Sequence, residues 1–105
     1  MKSNISEFTK GWFIGDFKPS LLNTTDFEVA IKEYKAGDSE DNHLHKEAIE
    51  FTVVLDGTIT MNDIEYNRND IIRIEKNEAT KFESITDSRT LVVKTPSVKG
   101  DKYIV

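Results

Sequence analysis

The sequence predicts an all-β protein, folded as a sandwich or a barrel. Two observations carry this. The 105-residue chain divides into many short apolar runs separated by turn signals, the pattern of an antiparallel sheet protein. Its clearest segments alternate apolar and polar residues with period two, and none of useful length repeats at the helical period of 3.6. The length suits one small domain with one core, and a partner subunit would add buried surface to it.

The elements follow in order. Residues 1–26 form an N-terminal segment whose apolar part is Gly11-Trp12-Phe13-Ile14-Gly15-Asp16-Phe17. That stretch reads as a strand covering the barrel, or as one exchanged with a partner. Residues 27–95 hold the strands proper. Phe27 to Tyr34 alternates, with Phe27, Val29 and Ile31 on one face and Glu28, Lys32 and Tyr34 on the other. Ala36-Gly37-Asp38-Ser39 breaks it. Ile49 to Leu55 is the second clear strand, and Asp56-Gly57 after it is a strong hairpin signal. Shorter strands follow at Thr58 to Met61, Ile64 to Tyr66, Ile71 to Ile74 and Lys81 to Ile85. The last strong strand, Arg89 to Thr95, stops at Pro96. Residues 96–105 read as a tail. Within it Lys99-Gly100-Asp101-Lys102 looks like a phosphate-friendly turn but lacks the strand and helix of a P-loop.

Composition excludes several classes. The chain has no cysteine, so disulfides, thiol catalysis and zinc–thiolate sites are ruled out. Its net charge is -5, and its 14 Lys and Arg are dispersed among 19 acids. With no basic stripe, nucleic acid and anionic membranes are poor partners. Met1 to Lys10 has no apolar signal core, and no run approaches the ~20 apolar residues of a membrane span. A soluble cytoplasmic protein is expected.

The chemistry concentrates in one run. The only two histidines, His43 and His45, are one residue apart. On a strand they point the same way and can converge on one ion, and imidazole with a carboxylate is a common donor set for divalent metals. His45 and Glu50 are an odd distance apart, so both reach one ion only if Lys46-Glu47-Ala48 bulges or turns. Glu47 has the parity of the histidines and is the competing carboxylate.

Gly37, His43, His45, Glu50 and Gly57 form G-x5-H-x-H-x4-E-x6-G, which resembles the first conserved motif of the cupin superfamily. The resemblance spans about Phe27 to Thr95 and implies a cupin-like double-stranded β-helix, or jelly-roll barrel, of roughly eight or more strands. It implies a metal held by His43, His45 and Glu50, with Glu50 rather than Glu47 in the motif position. The second motif of the family, G-x5-P-x-G-x2-H-x3-N, is degraded. Asn69, Glu75, Asn77, Thr80 and Ser84 stand in its five places, so Thr80 replaces the third metal-binding histidine. Asn69 and Asn77 are tolerable substitutes for glycine, because Asn readily takes positive φ.

Tyr34, Thr52, Arg73, Thr80 and Ser84 are the candidate pocket residues. These small polar groups, with one charge from Arg73, suit a hydroxyl-rich or anionic ligand. Two classes of function fit. One is a metal-dependent enzyme using Zn, Mn, Fe or Ni on a sugar or sugar phosphate, by isomerase-like or epimerase-like proton transfer involving Glu50, with oxygenase chemistry second. The other is a non-catalytic binding or sensory cupin with a weakened metal site. If Glu50 points into the barrel, Phe51, Val53 and Leu55 point out and need a cover, which predicts a homodimer.

Overall fold

A computed structural model describes all residues, 1–105. Ten strands form two antiparallel sheets: β1 (Trp12–Ile14), β2 (Glu28–Tyr34), β3 (Ser39–Leu44), β4 (Ile49–Asp56), β5 (Ile59–Met61), β6 (Ile64–Tyr66), β7 (Ile71–Ile74), β8 (Thr80–Ser84), β9 (Ser88–Thr95) and β10 (Tyr103–Ile104). One sheet runs β1-β2-β9-β4-β7 and the other β10-β3-β8-β5-β6. Two short 3-10 turns, Ile5–Glu7 and Thr9–Gly11, precede β1.

The alternation read in the sequence sets the faces. In β4, Thr52 and Val54 are buried, while Phe51, Val53 and Leu55 are only half-buried on the opposite face. In β2 the inner residues include Ala30, Lys32 and Tyr34, so the polar row of that strand faces the barrel and Val29 and Ile31 face out. Val54, Ile59, Met61, Ile72, Ile74 and Phe82 make the hydrophobic core, against which Tyr34 and Tyr66 pack. Met61 and Phe82 also line the interior cavity, so the core is its floor. The buried set holds as many polar or charged side chains as hydrophobic ones. Folding alone does not select such an interior, because buried polar groups must be matched individually.

Gly57 closes the β4–β5 hairpin at φ 82, where a Cβ would lie 2.3 Å from the Asp87 carbonyl oxygen. Asn69 and Asn77, the stand-ins for motif glycines, have φ of 76 and 64. Asn77 also donates its backbone N–H to the His45 carbonyl at 2.7 Å, tying the β7–β8 loop to the histidines.

One strand differs from the sequence reading. Ser39–Leu44 is a strand despite its polarity, because β8 and β10 pair with it on either side. The N-terminal apolar segment borders the barrel interior, where Trp12 lines the cavity. Its strand β1 extends the first sheet at the β2 edge, separated from β4 by β2 and β9. The end of the tail docks on the domain itself, where Tyr103 and Ile104 pair with Leu44 and His43.

Candidate functional site

The site lies where β3 turns into β4. β3 has a register irregularity between Glu40 and His43, so these residues, three apart, both line the barrel interior. β3 ends at Leu44 and β4 begins at Ile49. The intervening turn resolves the parity conflict between His45 and Glu50. Glu50 Oε1 lies 3.4 Å from His45 Nε2, and the two imidazole centroids are 5.3 Å apart. Glu47 is exposed, while the Glu50 side chain is only 12% exposed and is the carboxylate that lies against His45.

Both rings are oriented through Nδ1. His43 Nδ1 bonds the Asp41 carbonyl at 2.8 Å, and His45 Nδ1 bonds the Asp101 carbonyl. A carbonyl only accepts, so each Nδ1 carries a proton and each Nε2 is left for another partner. His45 Nε2 is buried without a hydrogen-bond partner. An unprotonated nitrogen facing a carboxylate across 3.4 Å sets two lone pairs against each other, so a cation between them, a proton or a metal ion, is what this geometry calls for.

The pKa shifts follow the surroundings. Burial pushes the Glu50 carboxyl up, but the His45 ring, the Lys94 ammonium and the Thr52 hydroxyl outweigh it, and the net shift is downward. Thr52 Oγ1 donates to Glu50 Oε2 at 2.9 Å, and Lys94 is the cross-strand partner of Glu50. Burial lowers the His43 imidazole below its ordinary value, favouring the neutral, ligand-competent form. Burial likewise lowers Lys32, with Glu40 3.5 Å away pulling the other way. Tyr34 is raised by burial and by Glu40, to which its hydroxyl donates at 3.2 Å.

The interior cavity is about 290 Å³ and includes His43, Glu50, Thr52, Thr80 and Tyr34 in its wall. Thr80 is the cross-strand partner of His43. Two of the sequence candidates lie elsewhere. Arg73 is exposed on the outer face, its guanidinium 5.8 Å from the Phe51 ring and paired with Glu75, because it shares the outward parity of Phe51. Ser84 is fully buried but does not line the cavity. Its hydroxyl bonds Ser88 Oγ and the Thr86 carbonyl, each at 2.6 Å, within the β8–β9 connection.

The charge expected from Arg73 is supplied instead by lysines. Lys10, Lys32, Lys94 and Lys102 line the cavity against Glu40 and Glu50. A neighbouring cavity of about 340 Å³ includes His45, Asp101 and Lys18, and shares Trp12, Lys94 and Lys102 with the first. Lys32 and Lys94 both lie over the Trp12 ring, at 5.6 and 5.0 Å. The signal for Lys32 was its place on the polar row of β2. Lys94 carried no local signal, and Asp101 and Lys102 were read only as part of a phosphate-friendly turn in the tail, since tertiary structure alone brings them to the histidines.

The donor chemistry fits a divalent ion: two imidazoles oriented through Nδ1, one buried unpartnered Nε2, and an adjacent carboxylate. The arrangement is not a closed cage, for no three His, Asp or Glu side chains are gathered closely enough to hold an ion as a set. Thr80, where a further imidazole would complete the set, offers only a hydroxyl.

Barrel, motif and paired histidines define the class, a cupin-type double-stranded β-helix. Solved structures share it at low identity. A double-stranded β-helix domain protein from Klebsiella pneumoniae superposes with a TM-score of 0.73 at 16% identity, covering 99% of this chain and 90% of that one. The Escherichia coli pirin YhhW, solved in complex with nickel(II), gives 0.70 at 20% identity over 86% of this chain, which spans only 40% of that protein. A cupin-superfamily sugar phosphate isomerase from Silicibacter pomeroyi gives 0.61 at 22% identity, covering 69% and 52%. No protein-family model matches the chain, and no curated protein matches it in sequence. The chain has the cupin fold. No helix is long and apolar enough to cross a membrane.

Proposed function

We propose that this protein is a metal-dependent cupin enzyme acting in the cytoplasm on a small anionic metabolite, with a sugar phosphate as the leading substrate class. The observation that carries the reading is the meeting of two Nδ1-anchored imidazoles with a lysine-lined cavity in a protein of net charge -5. His43, His45 and Glu50 are the residues that would hold the ion, which when bound polarises a substrate oxygen. Lys94 and Lys102, shared by both cavities, are placed to bind a phosphate or carboxylate as point charges. Tyr34 keeps its phenolic proton and serves as a hydrogen-bond donor, while burial weakens the hold of Lys32 on its own proton, which suits Lys32 to release one during isomerase-like or epimerase-like transfer. Glu50 is ionised at neutral pH and is the carboxylate that accepts. The nickel-bound pirin and the sugar phosphate isomerase share the fold, so both properties are compatible with it, although fold does not choose chemistry.

A second reading, a non-catalytic binding or sensory protein, is favoured by Thr80 in place of a third imidazole. The outward row of Phe51, Val53 and Leu55 is continued across the sheet by Leu91, Val93 and the 67%-exposed Ile71. Neither β1 nor the second sheet covers this row, and we assign it to a homodimer contact.

Thermal stability measured against sugar phosphates, neutral sugars, small organic acids and aromatic compounds, with and without Zn, Mn, Fe or Ni, tests the proposal. A sugar phosphate is expected to raise Tm with concentration, and more so with metal present. Equal shifts by neutral sugars or aromatic compounds would refute the anionic assignment. A sugar phosphate that binds and is recovered unchanged assigns the protein to the binding class.

A further inference from the structure

We propose that Asp101 is the positioning residue of His45, holding the imidazole from behind with its carbonyl while its carboxylate fixes the turn that carries the ring. This deepens the metal-site reading and rests on it. Asp101 comes from the C-terminal segment, 56 residues after His45, yet it is only 7% exposed. Its Oδ1 accepts the backbone N–H of Lys46 at 2.9 Å, its Oδ2 that of Ala48 at 3.0 Å, and both oxygens that of Glu47 at 3.2 Å. These three N–H groups belong to the turn between β3 and β4, where no strand ladder supplies acceptors. A carboxylate receiving several backbone N–H groups is a strong, charge-assisted clamp.

The clamp does more than close a turn. The same residue's backbone carbonyl accepts His45 Nδ1–H, which fixes the tautomer and leaves Nε2 toward Glu50. Carboxylate and carbonyl therefore act on one target from two directions. Asn77 anchors the opposite side through the His45 carbonyl. Pairing of Tyr103 and Ile104 with β3, and Lys46 Nζ 4.2 Å from the Tyr103 ring centroid, keep the segment against the turn. His43 is oriented separately, by Asp41, and is the internal reference.

The test is nitrogen NMR of the two imidazoles combined with zinc titration by calorimetry. In the wild-type protein without metal, His45 Nδ1 is expected to carry a slowly exchanging proton and to keep it on zinc loading. D101N and D101A should lower zinc affinity about 10- to 100-fold. They should also let His45 populate the Nε2–H tautomer while His43 keeps its Nδ1–H. A wild-type His45 found as the Nε2–H tautomer overturns the proposal, and that spectrum decides the matter even if the variants do not fold. Folded variants with unchanged tautomer and unchanged zinc affinity overturn it as well. If wild-type protein binds no zinc but D101N shifts the His45 tautomer alone, the positioning role stands and the metal reading fails.

Discussion

Replacing Thr80 with histidine tests the relation between the two sheets at the site. Thr80 is 5% exposed, and its Cα pairs with that of His43 across β3 and β8. Its side chain lines the ~290 Å³ cavity, so an imidazole there enters open space rather than the packed core. Overpacking costs about 1–3 kcal/mol, and the cavity argues for the lower value. For a domain of this size that is a loss of about 4–8 °C in Tm without metal. With zinc the balance reverses. Groups that merely orient a metal ligand are each worth about 10–100-fold in affinity, and a direct ligand is set here at the upper value. At a zinc concentration equal to the wild-type Kd, the ion stabilises wild-type protein by about 0.4 kcal/mol and a hundredfold tighter variant by about 2.7 kcal/mol. The zinc-induced rise in Tm should therefore grow from about 2 °C to more than about 10 °C, read by thermal melts at matched zinc concentrations. The reasoning fails if T80H melts cooperatively and its zinc increment is no larger than that of wild type.

Two further predictions follow from the same geometry. The folded-state pKa of Tyr34 is raised above 10.0, so stability held below the unfolded value is lost as pH rises past it, when the unfolded chain ionises first. Y34F lacks this loss, and the stability difference between Y34F and wild type should move in favour of the variant between about pH 9 and 11; parallel denaturation curves across that range would contradict the assignment of Tyr34 to the buried Glu40 contact. Light scattering of wild-type protein should give about twice the 12.0 kDa chain mass, and Val53→Lys, on the outward row, should return it to the monomer. A wild-type monomer at micromolar concentration would remove the homodimer from the proposal.

Much of the fold was legible because the physics of a half-buried strand is local. Alternation along 49–55 fixes which side chains share a face, and Asp56-Gly57 fixes where the strand reverses. Asn69 and Asn77 were placed at glycine positions by the motif resemblance and read as tolerable there because Asn readily takes positive φ, which both adopt. The break between His45 and Glu50 was required by parity and is present as the turn before β4. Ser39–Leu44 was not read as a strand, because its polar residues are held in a sheet by neighbours distant in sequence. Arg73 was assigned to the pocket, and its own parity with Phe51 places it outside.

The sequence by itself determined the all-β class, the outward apolar row and the histidine pair, because spacing, side-chain type and turn chemistry carry these, whereas spacing left Glu47 and Glu50 open as the carboxylate and only the motif resemblance favoured Glu50. Only the tertiary structure decided what surrounds the histidine pair. Lys32, Lys94 and Lys102 become one cationic wall, and Asp101 becomes the clamp behind His45, through strand pairings that join residues tens of positions apart. Cross-strand register is a non-local quantity. No window of the chain contains it until the sheets close and bring those charges against the two imidazoles.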